Sequence, residues 1–168
     1  MSTTQASNMT AESTLAANDS VSGRYLTFQL AEQEYGIAIL SVREIIAMQD
    51  ITPVPGVPMY VQGVINLRGR IIPVIDLRLR LCLEAAEQTE RNCIIVTEIE
   101  SEDSGQLQVG CIVDTVSEVM NVDADRIEAP PDLGVDLSTI MGLAKFEDCG
   151  KVISLLDIHR VLDTLQSF

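Results

Sequence analysis

The stretch GRIIPVIDLRLRL, residues 69–81, returns later in the chain as GKVISLLDIHRVL, residues 150–162. In each copy a glycine precedes a basic residue and an apolar run, and an aspartate, Asp76 or Asp157, closes the run. A second pair lies upstream in the same order. YGIAILSVREII (35–46) lays on VGCIVDTVSEVM (109–120), with Gly36 on Gly110, Val42 on Val116 and Glu44 on Glu118. Two matches in the same order predict a duplicated unit, with copies over about 23–83 and 91–165. Each copy reads as several short strands, a glycine hairpin and a terminal turn or helix. Strands of that length are expected to close into small barrels, because closure removes exposed edges.

Outside these stretches the two-residue period of half-buried strands dominates. Leu26, Phe28 and Leu30 alternate with polar neighbours, Tyr35, Ile37 and Ile39 follow a polar turn, and Leu107, Val109, Cys111 and Val113 repeat the pattern. In RIIPVID both faces are apolar, Ile71 and Ile75 on one, Ile72 and Val74 on the other. That predicts burial on both sides, while Pro73, which lacks an N–H, predicts an edge or a bulge. Helix is expected after Asp76, and again after Asp157, an N-cap for a stripe of Ile158, Val161, Leu162 and Leu165. Residues 1–22, rich in Ser, Thr, Ala and Asn, carry no apolar stripe and are expected to form a disordered tail before a folded domain over 23–168.

Composition excludes whole classes of partner. The chain has 168 residues and a net charge of −14, which repels phosphate backbones and anionic lipid, and its aromatic content of 4% offers no stacking platform. Nucleic acid and direct membrane insertion are therefore not expected. Cys82, Cys93, Cys111 and Cys149 lie far apart and are expected to be small buried residues rather than a metal or redox site. No secretion signal or membrane-spanning apolar run is legible, so a cytoplasmic protein is expected.

Catalytic patterns are weak. The single histidine, His159, sits inside the terminal amphipathic stretch, where no nucleophile–base set can be assembled around it. DADRIE (123–128) begins like a calcium loop but puts Ile127 at a ligand position and lacks the required glycine. No metal, no cofactor and no enzymatic activity are expected. Binding features are stronger. ITPVPGVPMYVQG (51–63) is stiffened by Pro53, Pro55 and Pro58 yet carries Val54, Val57, Met59 and Tyr60, which suits either a lid on a barrel end or a preorganised contact surface. Arg68 stands at the tip of a glycine hairpin, where its guanidinium can fork onto a carboxylate. Glu44 is the internal partner expected.

Together, EYGIAILSVREI, VPGVPMYVQGVINLRGRIIPVIDLR, VGCIVDTVSEVM and VISLLDIHRVL closely resemble the CheW family of bacterial chemotaxis coupling proteins. The resemblance covers about residues 24–163 and implies a mainly β fold of two SH3-like five-stranded barrel subdomains with a C-terminal helix. It also implies an adaptor joining the cytoplasmic tip of methyl-accepting chemoreceptors to the regulatory domain of the histidine kinase CheA, recruited to membrane receptor arrays. By the same resemblance Val42, Glu44, Arg68, Cys93 and Ile94 face the receptor, and Val54, Met59, Gly63 and Ile65 face the kinase. A CheW-like adaptor of another chemosensory system, such as one for pilus motility, fits the same residues.

Overall fold

The computed structural model describes residues 21–101, 105–163 and 165. The first copy supplies β1 (Gly23–Leu30), β2 (Gln33–Ala38), β3 (Val42–Ala47), β4 (Val61–Leu67), β5 (Arg70–Asp76) and helix α1 (Leu77–Arg80). The second supplies β6 (Cys93–Ser101), β7 (Gly105–Val113), β8 (Thr115–Val122), β9 (Ile127–Glu128), β10 (Ile140–Phe146), β11 (Lys151–Leu156) and α2 (Ile158–Val161). These pair into two sheets, β8-β1-β2-β11-β10-β9 and β3-β6-β7-β5-β4, called here the first and second sheet.

The duplication is present, but the copies have exchanged halves. Each sheet joins the two leading strands of one copy to the later strands of the other, through the parallel pairs β2·β11 and β5·β7. The registers repeat as well. Leu155 lies opposite Gly36 as Val74 lies opposite Gly110. The β3·β6 and β8·β1 ladders each slip at the same place in the repeat, near Arg43 and near Ser117, and β4 and β10 slip just before Gly63 and Gly142. The Asp76 N–H donates to the Tyr60 carbonyl at 2.8 Å, and the Asp157 N–H to the Thr139 carbonyl at 2.8 Å. YVQGVINL (60–67) and TIMGLAKF (139–146) are thus a third matched pair, too divergent in residue type to be noticed in the letters.

Among the described residues no ladder joins β3 to β4 or β8 to β9, so each sheet is curled but open, where closed barrels were expected. The first sheet has six strands because β9 pairs with β10; at the equivalent place beside β4 a single bridge, Thr52 to Val64, stands instead.

Alternation along the strands builds three cores. Tyr25, Val122, Ile127, Ala144, Ile153 and Leu155 fill the concave side of the first sheet, and Ile65, Ile72, Val74, Ile94, Val96 and Ile112 that of the second. The largest core lies between the sheets and includes Leu26, Phe28, Leu30, Ile37, Ile75, Ile95, Val109, Cys111 and the helical residues Leu77, Ile158, Val161 and Leu162. Both helices begin as expected, with Asp76 accepting from the Arg78 N–H at 2.9 Å and Asp157 from the His159 N–H at 3.1 Å.

The structure corrects several expectations. Two-sided burial holds for Ile72, Val74 and Ile75, but Ile71, next to the hairpin tip, is 64% exposed. β5 is an interior strand despite Pro73. The missing N–H is tolerated on the β4 side because the facing residue, Val64, spends its own N–H and carbonyl on Thr52, both at 2.9 Å. Cys111 is buried, and burial pushes its thiol up to about 12, but Cys82 and Cys149 are exposed. Cys82 follows α1 in a left-handed conformation, and Cys149 lies in the β10–β11 turn, so neither can point inward. The calcium-like stretch forms a 3-10 turn at Ala124–Arg126. Most of the expected tail lies outside the described residues; its end, Val21, packs on the first sheet's core and accepts the Tyr25 hydroxyl hydrogen.

Candidate functional site

Asn66, Arg68 and Gly69 explain one another. The hairpin between β4 and β5 has a two-residue loop, Arg68 at φ +52° and Gly69 at φ +87°, the left-handed pair that matches the twist of its strands. Asn66 Oδ1 accepts the Gly69 N–H at 2.8 Å and fixes the turn. The Arg68 guanidinium is thereby carried across the open seam of the second sheet to β3. There Nη1 donates to Glu44 Oε1 at 2.8 Å and Nη2 to Glu44 Oε2, a bidentate pair as expected. Arg43, Leu67, Arg70 and Gln108 complete a shallow groove of about 350 Å³ around it. Leu67 packs on the concave core and Gln108 alternates with Leu107, so this groove is the mouth of the second sheet's concave side.

The other face of the same sheet carries an apolar groove of about 230 Å³, lined by Val54, Val57, Val61, Gly63, Pro73 and Leu107, among others. The proline-rich connector forms one wall, and Met59 projects beside it at 81% exposure. Gly63 is required there: its φ is +144°, and a Cβ would enter the Thr52 carbonyl. The connector covers this face of the sheet with Val54 and Val57.

Of the residues assigned to the receptor by resemblance, the structure joins Glu44 and Arg68. Val42 shares β3 with Glu44 but lines a separate cleft with Leu40, Arg43 and His159, where Arg43 Nε meets Glu98 at 2.8 Å. Cys93 is half-buried opposite Ala47. Ile94 is fully buried inside the second sheet, as is Ile65 at 2% exposure, so neither side chain can touch a partner directly. Both were assigned to a partner face by the family resemblance; the period of two turns their side chains inward. Of the kinase set, Val54 and Gly63 line the apolar groove and Met59 stands beside it. Sequence reading missed Arg43, Glu98, Gln108, Leu107 and the exposed Leu40. Only Leu40, an apolar residue between two strand patterns, carried a local signal.

A further ion pair joins the copies. Arg78 Nε donates to Asp114 Oδ1 at 2.8 Å, Arg78 Nη2 to Asp114 Oδ2, and the Ala31 N–H to Asp114 Oδ2 at 2.9 Å. Burial by itself would raise Asp114, but these donors outweigh it and hold the carboxyl below its ordinary range. Burial pushes Asp76, the α1 cap, the other way.

The family profile described as CheW-like domain matches residues 24–166. The chain belongs to the CheW family. It is 36% identical over 136 residues to the chemotaxis protein CheW of Rhizobium meliloti, covering 81% of this chain and 84% of that one. It is 35% identical over 150 residues to that of Klebsiella aerogenes, covering 88% and 86%. Among solved structures, the scaffolding protein TtCheW from Thermoanaerobacter tengcongensis is similar with a TM-score of 0.74 and 36% identity, over 84% of this chain and 93% of that chain. The CheW fold thus accounts for the pair of curled sheets, and the family is one of scaffolds. Among the described residues no helix is long and apolar enough to cross a membrane.

Proposed function

We propose that this chain is a non-enzymatic adaptor that couples the cytoplasmic tips of methyl-accepting chemoreceptors to the regulatory domain of the histidine kinase CheA. It works in the cytoplasm and is recruited to membrane receptor arrays. The observation carrying this reading is the placement of a polar groove around Arg68–Glu44 and an apolar groove around Gly63 on opposite faces of one sheet. Two partners can then be held at once without competing. The receptor takes the polar groove and reaches Val42 through the neighbouring cleft, which shares Arg43; the kinase takes the apolar groove and Met59. Such an adaptor needs no bond chemistry. Different affinities for two kinase states transmit a receptor change as a coupling of about 1–3 kcal/mol.

Arg68→Glu tests this. The Arg68 side chain is 66% exposed, so its pair is worth at most about 1 kcal/mol to folding. The variant is expected to lose receptor-dependent kinase activation while its melting temperature falls by no more than about 4 °C. Kinase binding should persist in pull-down. A collapsed melting temperature would make the arginine structural, and unchanged activation would remove the polar groove from the receptor interface.

A further inference from the structure

The backbone passes between the sheets at two places, and the repeat makes them equivalent. The first is the 3-10 turn Ile39–Ser41 between β2 and β3; the second is Asp114 between β7 and β8. In the matched stretches Leu40 falls on Asp114, and His159 falls on Arg78. The same backbone junction therefore occurs twice, with different side chains.

At the second crossing Asp114 receives the Arg78 fork and the Ala31 N–H, and Arg78 Nη1 reaches the Glu84 carbonyl at 3.2 Å. This ties together three elements: α1, which follows the second sheet; the Ala31–Glu32 turn of the first sheet; and the crossing itself. That turn is a two-residue hairpin with both residues at positive φ, +52° and +67°, the left-handed pair that matches the twist of its strands, and its Ala31 N–H is free of the ladder to reach Asp114. At the first crossing no such bond is found among the described residues, which leave out the corresponding β6–β7 turn at 102–104. The 3-10 turn buries no residue and has no side-chain cap, Leu40 is 96% exposed, and a cleft of about 460 Å³ opens between it and His159.

The core between the sheets is apolar, and its individual contacts are non-directional; besides the Asp114 junction, Arg80 on α1 donates to the Val161 carbonyl at 2.7 Å and the Arg160 carbonyl at 3.2 Å on α2. Hydrogen bonds to a carboxylate are directional and do fix an angle. We infer that the Arg78–Asp114–Ala31 junction is the positioning clamp that sets the angle between the two sheets, and that the Leu40 crossing is its unclamped counterpart. Arg78 and Asp114 touch neither candidate groove, so they act on docking only through the sheets. The consequence for signalling rests on the adaptor reading: with the clamp lost, each partner still binds alone, but the fixed geometry that relays one to the other is gone.

The clamp itself is tested on the free, full-length chain. Spin labels are placed at the exposed positions Asp50, just after β3 of the second sheet, and Asp132, between β9 and β10 of the first, with the exposed Cys82 and Cys149 changed to serine. Pulsed dipolar spectroscopy should give a narrow distance distribution. Asp114→Ala should at least double its width with the near-ultraviolet dichroism retained. Adding Leu40→Asp and His159→Arg, which transplants the clamp to the other crossing, should narrow it again. A folded Asp114→Ala chain with an unchanged distribution overturns the inference. Should Asp114→Ala fail to fold, Arg78→Lys, which keeps the Ala31 bond and loses the fork, must show intermediate broadening, and an unbroadened distribution overturns it equally. In a receptor–kinase assay, a broadened variant that binds both partners normally and has lost coupling supports the relay. Loss of binding by the wild type would instead remove the adaptor reading and leave the clamp standing.

Discussion

The two hairpin tips, Arg68–Gly69 in the second sheet and Cys149–Gly150 in the first, occupy equivalent places in the duplicated chain and have come to opposite ends. In the second sheet the tip arginine crosses the seam to Glu44. In the first, the equivalent residues are Cys149 and Glu118, and no ion pair of Glu118 is found among the described residues; β9 instead extends that sheet along its β10 edge. The backbone repeats its bulges in β4 and β10 and its turn bonds at Asp76 and Asp157, but the tips differ, Leu67 pairing with Arg70 across a two-residue loop and Phe146 with Lys151 across residues 147–150, and the side chains facing outward have diverged. Duplicated packing constrains the pleat and the core, and it leaves the exposed positions free to specialise.

The sharpest way to break this comparison is at the paired glycines. Gly63→Ala forces a Cβ into the Thr52 carbonyl at a φ that side chains avoid, and should cost about 3 kcal/mol in urea unfolding. Gly142→Ala meets the Ile127 Cγ2 at 2.7 Å and the Glu128 carbonyl at 3.3 Å without that φ, and should cost about 1–2 kcal/mol as the isoleucine shifts. Equal losses would mean that the two bulges are not mechanically distinct.

A smaller effect lies in acid. Because the folded Asp114 carboxyl is held low, its contribution is complete above the unfolded carboxylate range and is lost as the pH drops through the folded value. Asp76, raised by burial, has the opposite sign and gains as it protonates. Between about pH 5 and pH 3 the urea midpoint of wild type should fall more than that of Asp114→Asn; parallel curves would mean the clamp carboxyl is not ionised. The smallest effect is constructive. Cys149→Arg puts an arginine at the position matching Arg68, near a Glu118 that already interacts with Lys151, and should add no more than about 0.5 kcal/mol, abolished by high salt.

Much of this was legible in the letters because it is local. The hairpin at Arg68, the caps at Asp76 and Asp157 and the alternation of β1, β2 and β7 follow from turn chemistry and period, which neighbours in sequence decide. Even the Arg68–Glu44 pair could be guessed from charge and from the duplicated VREI stretch. The inward turn of Ile65 and Ile94 was equally local, a matter of counting by twos from the known core positions, and there the reading slipped.

By itself, then, the sequence determined the repeated segments, the clearest alternating strands and the two helix caps. Only the tertiary structure decided that the copies trade halves, that the seam stays open, and that both candidate docking grooves fall on one sheet. The physical reason lies in the parallel pairs β2·β11 and β5·β7. A strand edge presents the same N–H and carbonyl groups to any neighbour, so the choice of partner across more than a hundred positions or across thirty is made by the whole core at once.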